Sequence, residues 1–273
     1  MTPIRSGLCS ITFRALTAEE VLSVAVEAGL DGIEWGADVH VPAGELDVAA
    51  DVADRCLDAG LACPSYGSYV VAGRTPGDEV ARAVDTALAL GVSNLRIWTP
   101  YGVRPDAPAV ERAEVLEGIA HATVMAAERG LATSLEYHPG TLTETAASTL
   151  DVLAAVDHPD LFTYWQPDSS LDDTVAVSEL AHVVGRLSHL HVFSWGPGWP
   201  PPHRNRLADG ASLWEPALSA VPVGGPWGAT GRDRWAFLEF VVDDDPANLA
   251  DDAATLRAWL DAGGNPEEDA DRV

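Results

Sequence analysis

Short apolar runs alternate along this chain with longer stretches in which apolar residues recur every three or four positions, and the alternation repeats about eight times. The short runs predict strands over 6–12, 32–36, 63–69, 94–99, 133–138, 162–167, 187–195 and 236–241. The amphipathic stretches predict helices over 17–29, 47–60, 77–91, 108–129, 143–157, 175–186, 212–220 and 246–261. Regular alternation of this kind argues for a parallel sheet.

Local signals fix several boundaries. Thr17-Ala18-Glu19-Glu20 reads as a capping box, and Thr143 and Asp245-Pro246 read as helix starts. Gly29, Gly60, Gly91 and Gly130 each stand where a helix stops and the next strand begins, the place for a left-handed cap. Eight such units fit a (β/α)8 TIM barrel in one domain spanning 1–273. An open doubly wound sheet would carry a glycine-rich phosphate loop after its first strand, and none follows here. Gly196 to Gly210 and Val223 to Gly231 read as loops, the first overhanging the barrel mouth, and the last ten or so residues as a disordered acidic tail.

Composition removes whole mechanisms. The chain has 273 residues, 47% of them hydrophobic, enough for a sizeable core. Its 16 basic residues are all arginine against 42 acidic ones, for a formal net charge of -26. Without a lysine there is no Schiff-base aldolase, pyridoxal phosphate enzyme or Walker A site. The negative charge argues against nucleic-acid or anionic-membrane partners. Cys9, Cys56 and Cys63 lack metal-ligand spacing and read as free thiols. With no signal peptide and no run approaching about eighteen apolar residues, the expectation is a cytoplasmic protein, with self-association left open.

In a barrel, side chains at the C-terminal ends of strands face the catalytic mouth. Glu136, Gln166, His191 and Glu239 each stand where an apolar run stops, so four groups able to hold a divalent ion converge there. A carboxylate at such a position costs several kcal/mol by desolvation unless it is compensated. A metal ion would remove that cost; the bland alternative is pairing with a buried arginine such as Arg96. Two carboxylates and an imidazole suit Mn, Mg, Co or Zn. Asp168, two residues past Gln166, is a rival ligand or a cap for the next helix. His189 and His191 share a strand face, and the outer one is the candidate. Trp35, Trp98, Trp165 and Trp195 fall at strand ends, where flat rings could wall a sugar site or simply plug the barrel top. His138 is a candidate substrate contact.

Gly7-Leu8-Cys9-Ser10, Gly32-Ile33-Glu34-Trp35, Leu135-Glu136-Tyr137-His138, His189-Leu190-His191 and Leu238-Glu239-Phe240, in this order and spacing, resemble the xylose isomerase-like barrel superfamily, in particular its sugar phosphate isomerase/epimerase branch. The resemblance implies a metal held by Glu136, His191 and Glu239, with Gln166 where the family usually has Asp. It further implies that Glu136 and Glu239 remove and return a proton beside a carbonyl, through a cis-enediolate. Only Arg14, Arg96, Arg204 and Arg206 stand where they could clamp a phosphate, so the substrate is expected to be an unphosphorylated sugar or polyol-like molecule. The expected function is a divalent-metal-dependent sugar isomerase or epimerase. A lyase on the same barrel, with or without a partner subunit, is the alternative; an abasic-site endonuclease and a noncatalytic sugar-binding protein rank below it.

Overall fold

The computed structural model describes residues 4–196, 203–222 and 224–263. Eight parallel strands close into a barrel in sequence order: β1 (Arg5–Cys9), β2 (Gly32–Gly36), β3 (Ser65–Val71), β4 (Asn94–Trp98), β5 (Ala132–Leu135), β6 (Leu161–Trp165), β7 (Leu187–Val192) and β8 (Trp235–Leu238). The ring closes where Arg5 and Trp235 stand opposite each other. Around it run α1 (Ala18–Glu27), α2 (Leu46–Asp58), α3 (Gly77–Ala89), α4 (Ala109–Ala127), α5 (Ala146–Val156), α6 (Asp173–Val183), α7 (Ala211–Ala220), α8 (Gly225–Ala229) and α9 (Leu249–Gly263). This is the expected single-domain (β/α)8 barrel. The proposed acidic tail and residues 197–202 of the loop after β7 lie outside the described residues.

Thr17 forms the reciprocal capping box with Glu20, and Gly29, Gly60, Gly91 and Gly130 adopt φ of 68° to 82°, as the sequence signals require. Four expectations need correction. The first apolar run does not stay extended: β1 stops at Cys9, and Ser10–Phe13 folds into a buried 3-10 turn from which Ile11 lines the mouth cavity. The fifth, sixth and eighth strands end one residue before Glu136, Gln166 and Glu239, because the chain turns across the rim there. Thr145 caps α5 in place of Thr143, whose hydroxyl donates instead to the Glu136 carbonyl at 2.6 Å. Part of the glycine-rich stretch read as a loop is the short helix α8, which seats Trp227 under the barrel.

Two-residue periodicity divides the strand side chains between barrel interior and helix layer. Leu8, Ile33, Leu95 and Leu190 belong to the large apolar core shared with the helices. The interior is partly polar: Ser134 donates to Asn94 (2.7 Å), Asn94 to Ser65 (3.0 Å), and the Tyr164 hydroxyl bridges Ser65 (2.6 Å) and Glu34 (2.5 Å). Below this layer an aromatic plug of Trp235, Phe237 and His189 fills the barrel. No helix among the described residues is long and apolar enough to cross a membrane.

Candidate active site

His191 stands on β7 at the centre of the mouth, fully buried. Its two ring nitrogens meet different surroundings. Nε2 lies 3.0 Å from Glu34 Oε1, a hydrogen bond that fixes the ring. Nδ1 lies 3.4 Å from Glu136 Oε1 and 3.4 Å from Glu239 Oε2, yet makes no hydrogen bond. Glu136 and Glu239, 2% and 6% exposed, are thus brought to one nitrogen from strands distant in sequence. Gln166 lines the same cavity, whose volume is about 200 Å³.

Glu34 is the residue the strand-end argument passed over. It is fully buried and accepts from His191, Tyr164, Cys9 (3.3 Å) and Arg96 (3.1 Å). The second arm of Arg96 pairs with Glu136. The buried-arginine alternative is therefore realised at Glu136, where Arg96 is committed to two carboxylates. The signal that would have found Glu34 was in the chain: a carboxylate between Ile33 and Trp35 on an apolar strand, the same pattern used for Glu136 and Glu239.

The charges follow from this wiring. Burial disfavours ionisation of Glu34, but Arg96 and His191 outweigh it and hold its pKa well below the usual carboxylate range. Glu136 is lowered for the same reason, burial being overcome by Arg96 and His191. Glu239 moves the other way: burial raises it and His191 only partly compensates. For His191, burial is outweighed by Glu239, Glu136 and Glu34, so its pKa rises well above the ordinary value. His189, one turn of the pleat deeper, is pushed down to about 3 by burial and is a neutral core residue among Tyr164, Trp227 and Phe237.

Among the described residues one cluster of donor atoms is close enough to share an ion. Cys9, Glu34 and His191 place theirs within 4.8 Å of one another, but Glu34 already accepts from a guanidinium, a phenol and an imidazole. The Cys9 thiol is also pushed up to about 12, first by burial and then by Glu34. The Nδ1 side offers a second, looser set, in which Glu136 is likewise paired with Arg96. A buried nitrogen without a hydrogen bond stands 3.4 Å from each of two carboxylates, close to the ~3.4 Å that separates two tetrahedral ligands of one ion, while Nε2 makes the second hydrogen bond that ligating histidines usually make.

The remaining candidates divide. Trp98 and Trp195 line the cavity, as do His138 and Asp168. The His138 ring lies 5.2 Å from that of Trp98. Asp168 Oδ1 accepts from the Ser170 amide at 2.8 Å, closing a turn of the loop after β6. Trp35 and Trp165 do not reach the mouth. Each follows an inward residue, Glu34 or Tyr164, so the pleat turns it to the helix layer, where Trp35 packs near His40 and Trp165 against Trp214 of α7. Arg204 sits at the rim over Phe240, paired with Asp244. Arg206 pairs with Asp251 at 2.9 Å, with its side chain 56% exposed, and is not brought to the cavity. Arg14, which lines the cavity, is held by Asp38 (2.7 Å) and the Tyr69 hydroxyl (2.8 Å). Tyr69 and Phe240, both cavity-lining, adopt φ of 56° and 63°, rare for side chains of this bulk.

The model of the xylose isomerase-like TIM barrel family matches residues 22–218, most of the barrel and three of the four strand-end residues. The chain belongs to that family. Among its relatives is a 3-dehydroshikimate dehydratase of Bacillus anthracis, 26% identical over 167 residues that span 58% of this chain and 60% of that protein. The barrel is also similar to D-allulose 3-epimerase from Methylomonas sp., with a TM-score of 0.68 at 17% identity, covering 95% of this chain and 99% of that one. A xylose isomerase-like TIM barrel protein of Mycobacterium smegmatis, solved in complex with magnesium, superposes with a TM-score of 0.66 at 15% identity over 96% and 98% of the two chains. At these identities the structural likeness concerns the fold. Proteins similar to this chain thus include one named as a dehydratase and, at the level of the fold, one named as an epimerase.

Proposed function

We propose that this protein is a divalent-metal-dependent sugar isomerase or epimerase, working by proton transfer beside a carbonyl. The observation that carries the reading is Nδ1 of His191, which makes no hydrogen bond and stands 3.4 Å from both Glu136 and Glu239. Those three side chains would hold the ion, with the Gln166 amide oxygen as a neutral fourth donor. What such an ion supplies is Lewis-acid polarisation of a ketose carbonyl and the neighbouring hydroxyl.

The protein's own groups do the rest. Arg96 binds Glu136 and keeps that carboxylate anionic and fixed. Glu239, facing His191 across 3.4 Å, is the group placed to take the proton from the carbon next to the carbonyl. The electron pair left on that carbon moves into the new C=C bond as the carbonyl oxygen gains charge. Return of a proton to the opposite face of the same carbon inverts it; return to the neighbouring carbon exchanges aldose and ketose. Glu239, protonated by the abstraction, can return its proton to the neighbouring carbon, whereas delivery at the opposite face requires that Glu136 first take a proton from solvent. Trp98, Trp195 and Phe240 border the cavity and limit the access of water.

A dehydratase reading rests on the Bacillus anthracis relative. It requires the same abstraction, followed by loss of a β-hydroxyl as water, and its substrate would bring a carboxylate. Arg14, Arg96 and Arg204 each already face a carboxylate of the protein, which favours a neutral substrate. The test is incubation of Mn-loaded protein with a ketose panel and with 3-dehydroshikimate in deuterated water. Carbon-bound deuterium in recovered or epimerised sugar is the expected result. A dehydrated product without sugar exchange supports the second reading, and no exchange with any substrate ends the first.

A further inference from the structure

Beside the catalytic cavity lies a second, of about 440 Å³, between the loop after β6 and the chain that leaves β7. The two share five lining residues, Pro167, Asp168, Ser169, Phe193 and Trp195, so they adjoin. The inner chamber, about 200 Å³, falls below the roughly 300–1,000 Å³ usual for a small-molecule site, whereas the two together fall inside that range. A molecule that filled only the inner chamber would leave the larger one to water.

The lining of the outer chamber selects by charge. Asp168, Asp172, Asp173 and Asp209 face it together with Asn205, and no arginine or histidine does so among the described residues. Carboxylates and an amide accept and donate to sugar hydroxyls, and the same carboxylates repel phosphate and carboxylate groups. Phe193 and Trp195 stack on each other with ring centroids 4.3 Å apart, and Phe240 lies 5.3 Å from Trp195, so the shared wall is an apolar aromatic stack.

We propose that the outer chamber is a second glycosyl subsite, so that the substrate is an uncharged glycoside of disaccharide size: one ring meets Glu136, His191 and Glu239, and the other rests between Asp168, Trp195 and Asp209. This deepens the isomerase or epimerase reading and rests on it for the chemistry, but not for the binding.

Titration calorimetry of the Mn-loaded full chain with maltose, cellobiose and trehalose, beside glucose, fructose and glucose 6-phosphate, tests it. At least one disaccharide binds about tenfold more tightly than its component monosaccharide, the change given by roughly 60 Å² of added apolar contact, and the phosphate binds more weakly than glucose. Ser212→Trp, which fills the outer chamber, lowers the ratio of disaccharide to monosaccharide affinity by about the same factor, and Trp195→Ala lowers it as well. Melting curves confirm that each variant is folded, and Trp195→Ala serves if Ser212→Trp is not. No disaccharide bound better than its monosaccharide, an unchanged ratio in the folded variants, or preferred binding of the phosphate overturns the proposal. Deuterium exchange without disaccharide preference removes the subsite and leaves the chemistry, and disaccharide binding without exchange does the reverse.

Discussion

Glu34→Gln is the perturbation that separates a wired site from a set of nearby side chains. Glu34 Oε1 takes donors from His191, Arg96 and Cys9, and Oε2 takes Tyr164. Glutamine keeps the shape and can keep its oxygen toward His191 and Arg96, while the Tyr164 hydroxyl turns fully to Ser65, 2.6 Å away. What is lost is the charge. Arg96, 2% exposed, then retains Glu136 as its one carboxylate partner, and His191 loses the anion that orients it. Breaking a buried ion pair costs about 3–5 kcal/mol, and the surviving Glu136 contact places this one near 3 kcal/mol. At about 2.1 cal/mol/K per residue over 273 residues, that corresponds to a fall in Tm of roughly 5 °C. The difference has a definite pH dependence. The folded pKa of Glu34 is depressed, so its contribution is present above the unfolded value of about 4.3 and is lost as pH falls through the folded value. Parent and variant should therefore converge in strong acid and stand furthest apart near neutrality. Because Glu34 orients the imidazole, Mn affinity should also fall about 10–100-fold. Calorimetric melting at pH 3 to 8 and Mn titration measure both. A variant that melts within about 1 °C of the parent at pH 7 and binds Mn equally well would show that the Glu34 contacts carry no weight.

Other outcomes follow from the same wiring. Glu136→Gln and Glu239→Gln should both abolish solvent-deuterium exchange, yet only the first should lower Tm clearly, because Glu136 partners Arg96 whereas burial already raises the pKa of Glu239; equal losses of Tm would refute the distinction. Gly67→Ala places a Cβ 2.4 Å from Nη2 of Arg96, so the guanidinium or the strand must shift, at a cost of about 1–3 kcal/mol and with loss of exchange activity; chemical denaturation and the exchange assay read the two effects. Gln166→Asp adds a carboxylate to the ligand set and should tighten Mn binding by roughly tenfold; metal analysis after dialysis against chelator shows whether it does.

The features legible in the sequence are those whose physics is local. Capping at Thr17, glycine stops at Gly29 and Gly130 and strand-length apolar runs describe the chain within its own neighbourhood, and the barrel is the closed arrangement that eight such units allow. Glu136, His191 and Glu239 were legible because a charged or polar residue at the end of an apolar strand contradicts the surrounding pattern. Trp35 and Trp165 stand at strand ends but not at the mouth, because pleat parity gives the interior to their neighbours Glu34 and Tyr164. Thr143 and Thr145 illustrate the same limit, since either can cap a helix and the choice depends on the Glu136 carbonyl, which competes for one hydroxyl.

The sequence by itself determined the eight repeating units, the absence of any lysine chemistry and the three side chains at the mouth, since each rests on residue type and spacing. Tertiary structure alone decided that Arg96 spans Glu34 and Glu136, that the two nitrogens of His191 serve different partners, and that a second chamber opens beside the first. Closure of the barrel brings Glu34 within hydrogen-bonding distance of His191 from 157 positions away, and no local pattern encodes a contact across that separation.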